Sequence, residues 1–287
     1  MFHRSLVVFA ALAAALAVVS LSAAAHQQKQ VTYRYHRIIS LSPTVTEDLF
    51  AIGAGKQVIA VDQDSNYPKR APRTSLSGYT PNAEAVANYH PDLVLISYNP
   101  QNFASQLRQL GIKVVMEPAS NNLRQAYRQI RGIGRLTGHN SGAKSVVHSM
   151  QTKLARIVQS VPKSRRRLRV YHELEPDYFS ATSTTFIGSI YKLFGFKDIA
   201  DGAGSAGDQY PQLSAEYIIA QNPQIIVLAD TKCCGQNAAT VAARPGWSSI
   251  NAVQHQRVFV ADDDVASRWG PRIVNFARSV ARIAKQG

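Results

Sequence analysis

Cysteine and acidic residues are both scarce in this sequence, and each scarcity excludes something. Only two cysteines occur among the 287 residues, and they are adjacent. Two thiols cannot build a disulfide-dense scaffold or a zinc site made of four cysteines. The 32 Lys and Arg residues outnumber the 18 Asp and Glu residues, which gives a formal net charge of +14. This excess favours an anionic partner, such as nucleic acid, a membrane surface or an anionic ligand.

Catalytic and nucleotide-binding signatures are also missing. The sequence has no nucleophile elbow, no Walker loop and no dinucleotide fingerprint, and we interpret Gly132 and Gly134 as a pair at a helix end. The eight histidines form no metal-binding pair, so we expect no metal site. His172, Glu173 and Glu175 crowd after a predicted strand. A secreted enzyme that uses this cluster for acid–base catalysis remains an alternative from a different functional class.

The N-terminus has the pattern of a cleavable secretory signal. Arg4 precedes an uncharged apolar run from Leu6 to Val19, and small residues lead up to Ala25. The run is shorter than the roughly 20 residues that span a membrane as a helix. We therefore expect residues 1–25 to be removed and the protein to be periplasmic. No cysteine lies near the cleavage site, so we expect no lipoprotein anchor, and export argues against a nucleic-acid partner.

Short apolar runs alternate with helical patterns along the rest of the chain. The runs predict buried strands at 37–41, 58–61, 93–96, 114–116, 168–171, 225–228 and 258–260. The patterns between them predict helices at 44–52, 82–89, 102–110, 186–194, 215–221, 247–253 and 271–285. This alternation is typical of an α/β fold with parallel sheets covered on both faces.

A long amphipathic pattern separates the two series of strands. From Ser141 to Val161 the apolar positions follow one face of a helix, and Pro162 ends it. We therefore assign residues 36–138 to an N-terminal lobe, 139–162 to a connecting helix and 163–287 to a C-terminal lobe. A cleft between two such lobes is a usual place for a small ligand.

The two series are also similar to each other at a constant offset of 132 residues. The segment 83–91 corresponds to 215–223, and within it Glu84 corresponds to Glu216. In the first turn of a helix a carboxylate complements the helix dipole and needs no partner. As an equivalent pair, one on each lobe, the two glutamates suit docking onto a symmetric or dimeric partner with basic sockets.

This layout resembles the periplasmic substrate-binding proteins of the ferric-siderophore and vitamin B12 class of ABC importers. The resemblance covers about residues 36 to 287. It rests on the segment 37–43 (Arg-Ile-Ile-Ser-Leu-Ser-Pro), on Thr46-Glu47, on the paired Ala-Glu…Pro segments and on the long connector. It implies two Rossmann-like lobes joined by one long rigid helix. It also implies a monomer without a cofactor, whose Glu84 and Glu216 contact arginines of a dimeric permease that works with ATPase subunits.

Within that class the sequence is most similar to the vitamin B12-binding proteins. The resemblance implies that the cleft is lined by aromatic, acidic and basic positions, namely Tyr79, Tyr98, Tyr178, Tyr210, Asp264 and Arg268. The tryptophans, Trp247 and Trp269, fall outside the family's aromatic positions. A corrinoid is a wide flat ring with amide side chains, and it suits aromatic faces with a few polar groups. A ferric siderophore or haem remains the alternative ligand.

Cys233 and Cys234 follow the predicted strand at 225–228. Adjacent Cα atoms are about 3.8 Å apart, which is below the usual range for a disulfide, so a bond between these residues would be strained. In an oxidising compartment we nevertheless expect this vicinal disulfide rather than two free thiols.

Overall fold

The computed structural model describes residues 34–165, 167–205 and 207–286. The predicted signal sequence lies outside these residues, so its cleavage and the lack of a lipid anchor stay predictions. Within the described ranges, no helix combines the length and the apolar character needed to cross a membrane.

Two parallel sheets form the framework of the fold. The first contains β1 (Ile38–Leu41), β2 (Val58–Val61), β3 (Leu93–Ile96) and β4 (Lys113–Met116), in the order β2-β1-β3-β4. The second contains β5 (Arg169–Glu173), β6 (Lys197–Asp198), β7 (Ile225–Leu228) and β8 (Val258–Val260), in the order β6-β5-β7-β8. Every residue of β1, β3 and β7 is buried, because helices cover both faces of each sheet.

Helices follow most of the strands and connect the two sheets. Their bounds are α1 (Pro43–Ala51), α2 (Ala83–Ala87), α3 (Phe103–Gln109), α4 (Leu123–Thr137), α5 (Asn140–Gln159) and α6 (Phe186–Leu193) in the first part of the chain. They continue with α7 (Ala215–Gln221), α8 (Thr231–Cys234), α9 (Ala238–Ala242), α10 (Asn251–Gln254), α11 (Asp263–Ser267) and α12 (Ile273–Gln286). The helix expected at 247–253 is interrupted, because Ile250 has an extended backbone.

Helix α5 is the expected long connection between the two lobes. Its buried face consists of Ala143, Val147, Met150 and Leu154. These side chains belong to one hydrophobic core that contains residues of β1, of β5 and of α12. Since α12 returns from the second lobe to pack against α5, the connection is supported along its length.

Helix α4 was not predicted, and it corrects the interpretation of two glycines. Gly132 and Gly134 lie inside this helix rather than at its end. A Cβ atom added to Gly134 would come within 2.4 Å of the Cβ atom of Ala143 in α5. The glycine is therefore needed for the close packing of α4 on α5 and does not terminate a helix.

The internal repeat extends to the register of the strands. In the first sheet Ile38 pairs with Leu93, and in the second sheet Val170 pairs with Ile225. The second pair is displaced from the first by 132 residues at both members. The α/β class with two Rossmann-like lobes joined by one long helix is confirmed.

The same offset relates hydrogen bonds at the start of each lobe. Arg37 donates from Nε to the carbonyl oxygen of His90 over 2.9 Å, and Arg169 donates from Nη2 to the carbonyl oxygen of Asn222 over 2.9 Å. Both acceptors have positive backbone φ angles, of 50° and 46°. The two lobes therefore repeat their turn geometry as well as their strand order.

Candidate functional site

A cleft of about 490 Å³ lies between the two lobes. From the first lobe it is lined by residues that follow the carboxyl ends of β1, β2 and β3, including Ser42, Asp62 and Ser97. From the second lobe it is lined by α11 and the residues directly after it. The carboxyl ends of parallel strands share one edge of a sheet, and α/β folds bind ligands there.

Four of the six predicted cleft residues line this cleft, namely Tyr79, Tyr98, Asp264 and Arg268. The side chains of Tyr79 and Tyr98 are 71% and 56% exposed. Exposed tyrosine rings at the wall of a cleft offer flat apolar faces to a planar ligand. Both tyrosines therefore lie at the cleft, and their role in holding a ligand stays a prediction.

The other two predicted tyrosines are not among the described residues that line the cleft. Tyr178 stacks on Trp247 with ring centroids 5.6 Å apart, and the guanidinium of Arg244 lies 5.3 Å from the centre of its ring. Its ring is engaged in the packing of the second lobe. Tyr210 is 46% exposed on a loop of that lobe.

Trp269 is a cleft residue outside the predicted set. It lines the cleft directly after Arg268, although its place in the sequence falls outside the family's aromatic positions. Its proximity to two predicted cleft residues, Asp264 and Arg268, was the signal that could have identified it. The cleft thus has aromatic side chains on both lobes.

Asp62 is a cleft residue that sequence reasoning missed. Its Oδ1 atom accepts a hydrogen bond of 2.9 Å from the backbone N–H of Asp64. Its Oδ2 atom is buried and has no hydrogen-bond partner among the described residues. Burial raises the pKa of the Asp62 carboxyl from 3.8 to about 6. Its position directly after β2 was a usable signal, because ligands bind at strand ends.

Asp62→Asn is expected to stabilise the unliganded protein at neutral pH. The folded-state pKa of about 6 exceeds the unfolded value of 3.8, so the stability of the wild type falls as the pH rises between these values. The substitution removes this loss of stability, so the free energy of unfolding should rise by up to about 3 kcal/mol at pH 7.5. No such rise is expected at pH 3.5. Urea unfolding at both pH values measures the difference, with the exposed Asp177→Asn as a charge control. Equal gains at both pH values would contradict the assignment.

An interlobe ion cluster, formed by Glu47, Arg268 and Arg272, joins the lobes behind the cleft. Arg272 donates to both carboxylate oxygens of Glu47, over 2.9 Å from Nε and 2.6 Å from Nη2. Arg268 donates to the same carboxylate over 2.9 Å. Glu47 is buried in α1 of the first lobe, whereas both arginines follow α11 in the second. The charge-assisted bonds therefore cross from one lobe to the other.

The guanidinium group of Arg268 has further hydrogen-bond partners. It donates to Asn66 Oδ1 over 2.9 Å and to Asp264 Oδ1 over 2.8 Å. Asn66 in turn donates to the other oxygen of Asp264 over 3.0 Å. Because its side chain is only 9% exposed, Arg268 contributes mainly to holding the lobes together.

The cleft has an acidic lining. Asp62, Asp64, Asp263 and Asp264 face it, and Arg268 is the one basic residue among the described residues that line it. Its charge is shared with Glu47 and Asp264. A ligand in this cleft therefore meets hydrogen-bond acceptors and negative charge, although the chain as a whole is basic.

Cys233 and Cys234 form a disulfide bond at the end of α8. The preceding residue, Lys232, forms ion pairs with Asp262 over 3.1 Å and with Asp264 over 3.0 Å. These contacts place the disulfide beside the second-lobe rim of the cleft.

The acid–base cluster considered from the sequence does not assemble. His172 is fully buried with its Nδ1 atom 2.7 Å from the hydroxyl of Tyr191, and burial lowers the pKa of its imidazole to about 3. Glu173 is paired with Arg244 at 2.6 Å, and Glu175 is exposed. Since successive residues of a strand point to opposite faces, the side chains of His172 and Glu173 diverge.

Glu84 and Glu216 are exposed in the first turns of α2 and α7. Each helix begins with an equivalent cap, in which the side chain of Asn82 or Ser214 accepts a hydrogen bond from a backbone N–H. Neither glutamate forms an ion pair with any residue that the structure describes. Both carboxylates are therefore free to contact another molecule.

Comparison with known proteins establishes the family. A family model described as periplasmic binding protein matches residues 38–265. The chain belongs to the periplasmic binding protein family, whose members are binding proteins rather than enzymes.

The chain is similar to two relatives over most of its length. It is 30% identical over 273 residues to an uncharacterised ABC transporter substrate-binding lipoprotein of Bacillus subtilis, covering 92% of this chain and 84% of the relative. It is 34% identical over 246 residues to a cobalamin-binding protein of Halobacterium salinarum, covering 83% of this chain and 66% of the relative.

A solved structure shows that the fold alone does not select the ligand. The periplasmic haem-binding protein of Vibrio cholerae matches this chain with a TM-score of 0.76 at 23% identity, covering 86% of this chain and 97% of that one. The ligand must therefore be argued from the cleft of this chain.

Proposed function

We propose that this protein is the substrate-binding component of an ABC importer and carries a corrinoid in its cleft. The observation that carries the proposal is the cleft lining, which combines aromatic faces with carboxylate acceptors. The similarity to a cobalamin-binding protein supports the same ligand class.

The chemistry of a corrinoid matches this lining. Its ring is flat, and its amide side chains present N–H donors around the rim. Tyr79, Tyr98 and Trp269 supply faces for the ring, while the unpartnered oxygen of Asp62 supplies a buried acceptor. A buried acceptor without a partner is costly, so a donor on the ligand gains affinity there.

The same lining disfavours the alternative ligands. Haem carries two propionate groups and many ferric siderophores are anionic, so both prefer free arginine or lysine side chains. In this cleft Arg268 is engaged by Glu47 and Asp264. An anionic ligand would therefore face the aspartates without a free counter-charge.

Delivery requires a membrane partner, and the equivalent glutamates suit that role. Substrate-binding proteins of ABC importers work with a permease and ATPase subunits, and a dimeric permease offers two equivalent sockets. Glu84 and Glu216 provide one exposed carboxylate on each repeat. We assign them to docking, with arginines of the permease as partners. We also assign the protein to the periplasm, as a monomer released by cleavage after Ala25 without a lipid anchor.

Titration of the purified protein with cyanocobalamin tests the ligand. We expect saturable binding with one ligand per protein, no turnover, and weak or no binding of haem and ferric siderophores. Binding of haem or a siderophore without binding of the corrinoid would reject the proposal and leave the importer class intact. Chemical conversion of a ligand would favour the enzyme alternative instead.

Tyr79→Ala combined with Tyr98→Ala is expected to weaken corrinoid binding by about 10- to 100-fold, because two ring faces are lost from one wall. Isothermal titration calorimetry measures the change. Leu110→Ala is the control, since Leu110 is an exposed apolar residue that does not line the cleft. An equal loss of affinity in both variants would place the ligand elsewhere.

A further inference from the structure

A second cavity, of about 460 Å³, lies beside the connecting helix, and we call it the rear cavity. It is lined by α1, by α5, by the start of α12 and by the segment 67–70. The interlobe ion cluster separates it from the cleft, because Arg268 lines the cleft whereas Glu47 and Arg272 line the rear cavity.

The rear cavity has the opposite charge to the cleft. Four basic side chains line it, namely Arg70, Lys153, Arg272 and Arg278. The single carboxylate among its described lining residues is Glu47, which already binds Arg268 and Arg272. Arg70, Lys153 and Arg278 form no ion pair within the described residues. Like charges around one cavity repel each other unless an anion lies between them.

Two of these side chains are already held in place. Arg272 is fixed by its two bonds to Glu47 and by the ring of Tyr67, whose centre lies 4.4 Å from the guanidinium carbon. Its Nη1 atom makes no hydrogen bond to a described residue, so it can donate to a ligand. Arg278 is oriented by a 2.8 Å hydrogen bond to Asn275. Arginines whose geometry is set before binding lose less entropy when they bind an oxyanion.

We propose that the rear cavity binds a polyvalent phosphate-bearing anion, at a site separate from the corrinoid cleft. A phosphate group carries close to two negative charges at neutral pH and three acceptor oxygens, which matches several cations that line one cavity. A single carboxylate would neutralise only one of these cations. Neighbouring hydroxyl and amide groups, from Ser149 and Asn275, add polar contacts in the same cavity.

The test is calorimetric titration of the full protein with pyrophosphate at low ionic strength. We expect saturable binding with one anion per protein that weakens as salt is added. Lys153→Gln combined with Arg278→Gln should weaken it at least tenfold. The matched control is Arg131→Gln with Lys144→Gln, which removes one Arg and one Lys from exposed helical positions outside the cavity and should leave binding unchanged.

Flotation with vesicles that contain phosphatidic acid, whose phosphomonoester carries close to two negative charges at neutral pH, distinguishes the two sources of the phosphate group. Pyrophosphate binding that is lost only in the cavity variant identifies a dissolved anion. Vesicle binding with the same variant dependence, but without pyrophosphate binding, identifies a lipid headgroup. The proposal is overturned if neither probe binds, or if the control variant weakens binding as much as the cavity variant. Corrinoid titration of the cavity variant, expected to be unchanged, keeps this result independent of the proposed function.

Discussion

Reversing the charge of both exposed glutamates, by Glu84→Lys and Glu216→Lys, is expected to reduce corrinoid uptake by at least 100-fold. Each lysine would place a positive charge against a basic socket of the permease, so an attractive contact becomes a repulsive one on both lobes. The affinity for cyanocobalamin should be unchanged, because neither residue lines the cleft. Uptake of labelled cyanocobalamin is measured in cells whose import depends on this protein, alongside calorimetry on the purified variant.

The control for this experiment is Glu175→Lys with Asp177→Lys, which makes the same change in net charge at two exposed positions of one loop. We expect uptake close to the wild-type level in that variant. Normal uptake by the Glu84 and Glu216 variant would remove the docking role of these residues. Loss of uptake together with loss of ligand affinity would show that folding had failed rather than docking.

Glu47→Ala is expected to lower the free energy of unfolding by about 3–5 kcal/mol, because in a largely buried site it leaves Arg272 without a carboxylate and Arg268 with Asp264 alone. The Arg268 and Arg272 side chains are only 9% and 18% exposed. Glu47→Gln, which keeps the shape and an acceptor oxygen, should cost less than the alanine. Urea unfolding followed by circular dichroism measures both variants.

The comparison for this prediction is an ion pair at the surface. Lys232 is 52% exposed where it contacts Asp262, so Lys232→Ala should cost about 1 kcal/mol or less. A cost of the same size for Glu47→Ala would show that the interlobe ion cluster contributes little to stability. In that case the packing on α5 and the contacts of Asn66 with the second lobe would hold the lobes together.

The strands were predictable because their burial requires continuous apolar runs. β3 and β7 occupy the residues that their sequences indicated, since four adjacent apolar side chains of β-branched type and leucine suit a strand covered on both faces. The two-residue strand β6 has no such run and left no signal. Helix α4 was hidden by its glycines, of which Gly134 is explained only by the neighbouring helix α5 that it touches.

The site was predictable only in part, for a similar reason. Tyr98 follows a strand of a parallel sheet, and this position alone indicates the edge where ligands bind. The pairing of Glu47 with Arg268 joins residues 221 positions apart, and no local pattern in a single sequence encodes such a contact. Trp269 was missed because the aromatic positions of the family do not indicate a cleft wall that is built from other residues of this chain.

The bridging of the lobes by α5 and by Glu47 has a consequence for how copies of this protein compete for the permease. If the lobes are fixed in this way, Glu84 and Glu216 keep the same spacing whether the cleft is full or empty. A permease that recognises only this spacing then cannot tell a loaded receptor from an unloaded one. Unloaded copies would act as competitive inhibitors, so at a fixed supply of cargo we expect import to reach a maximum at an intermediate abundance of the receptor.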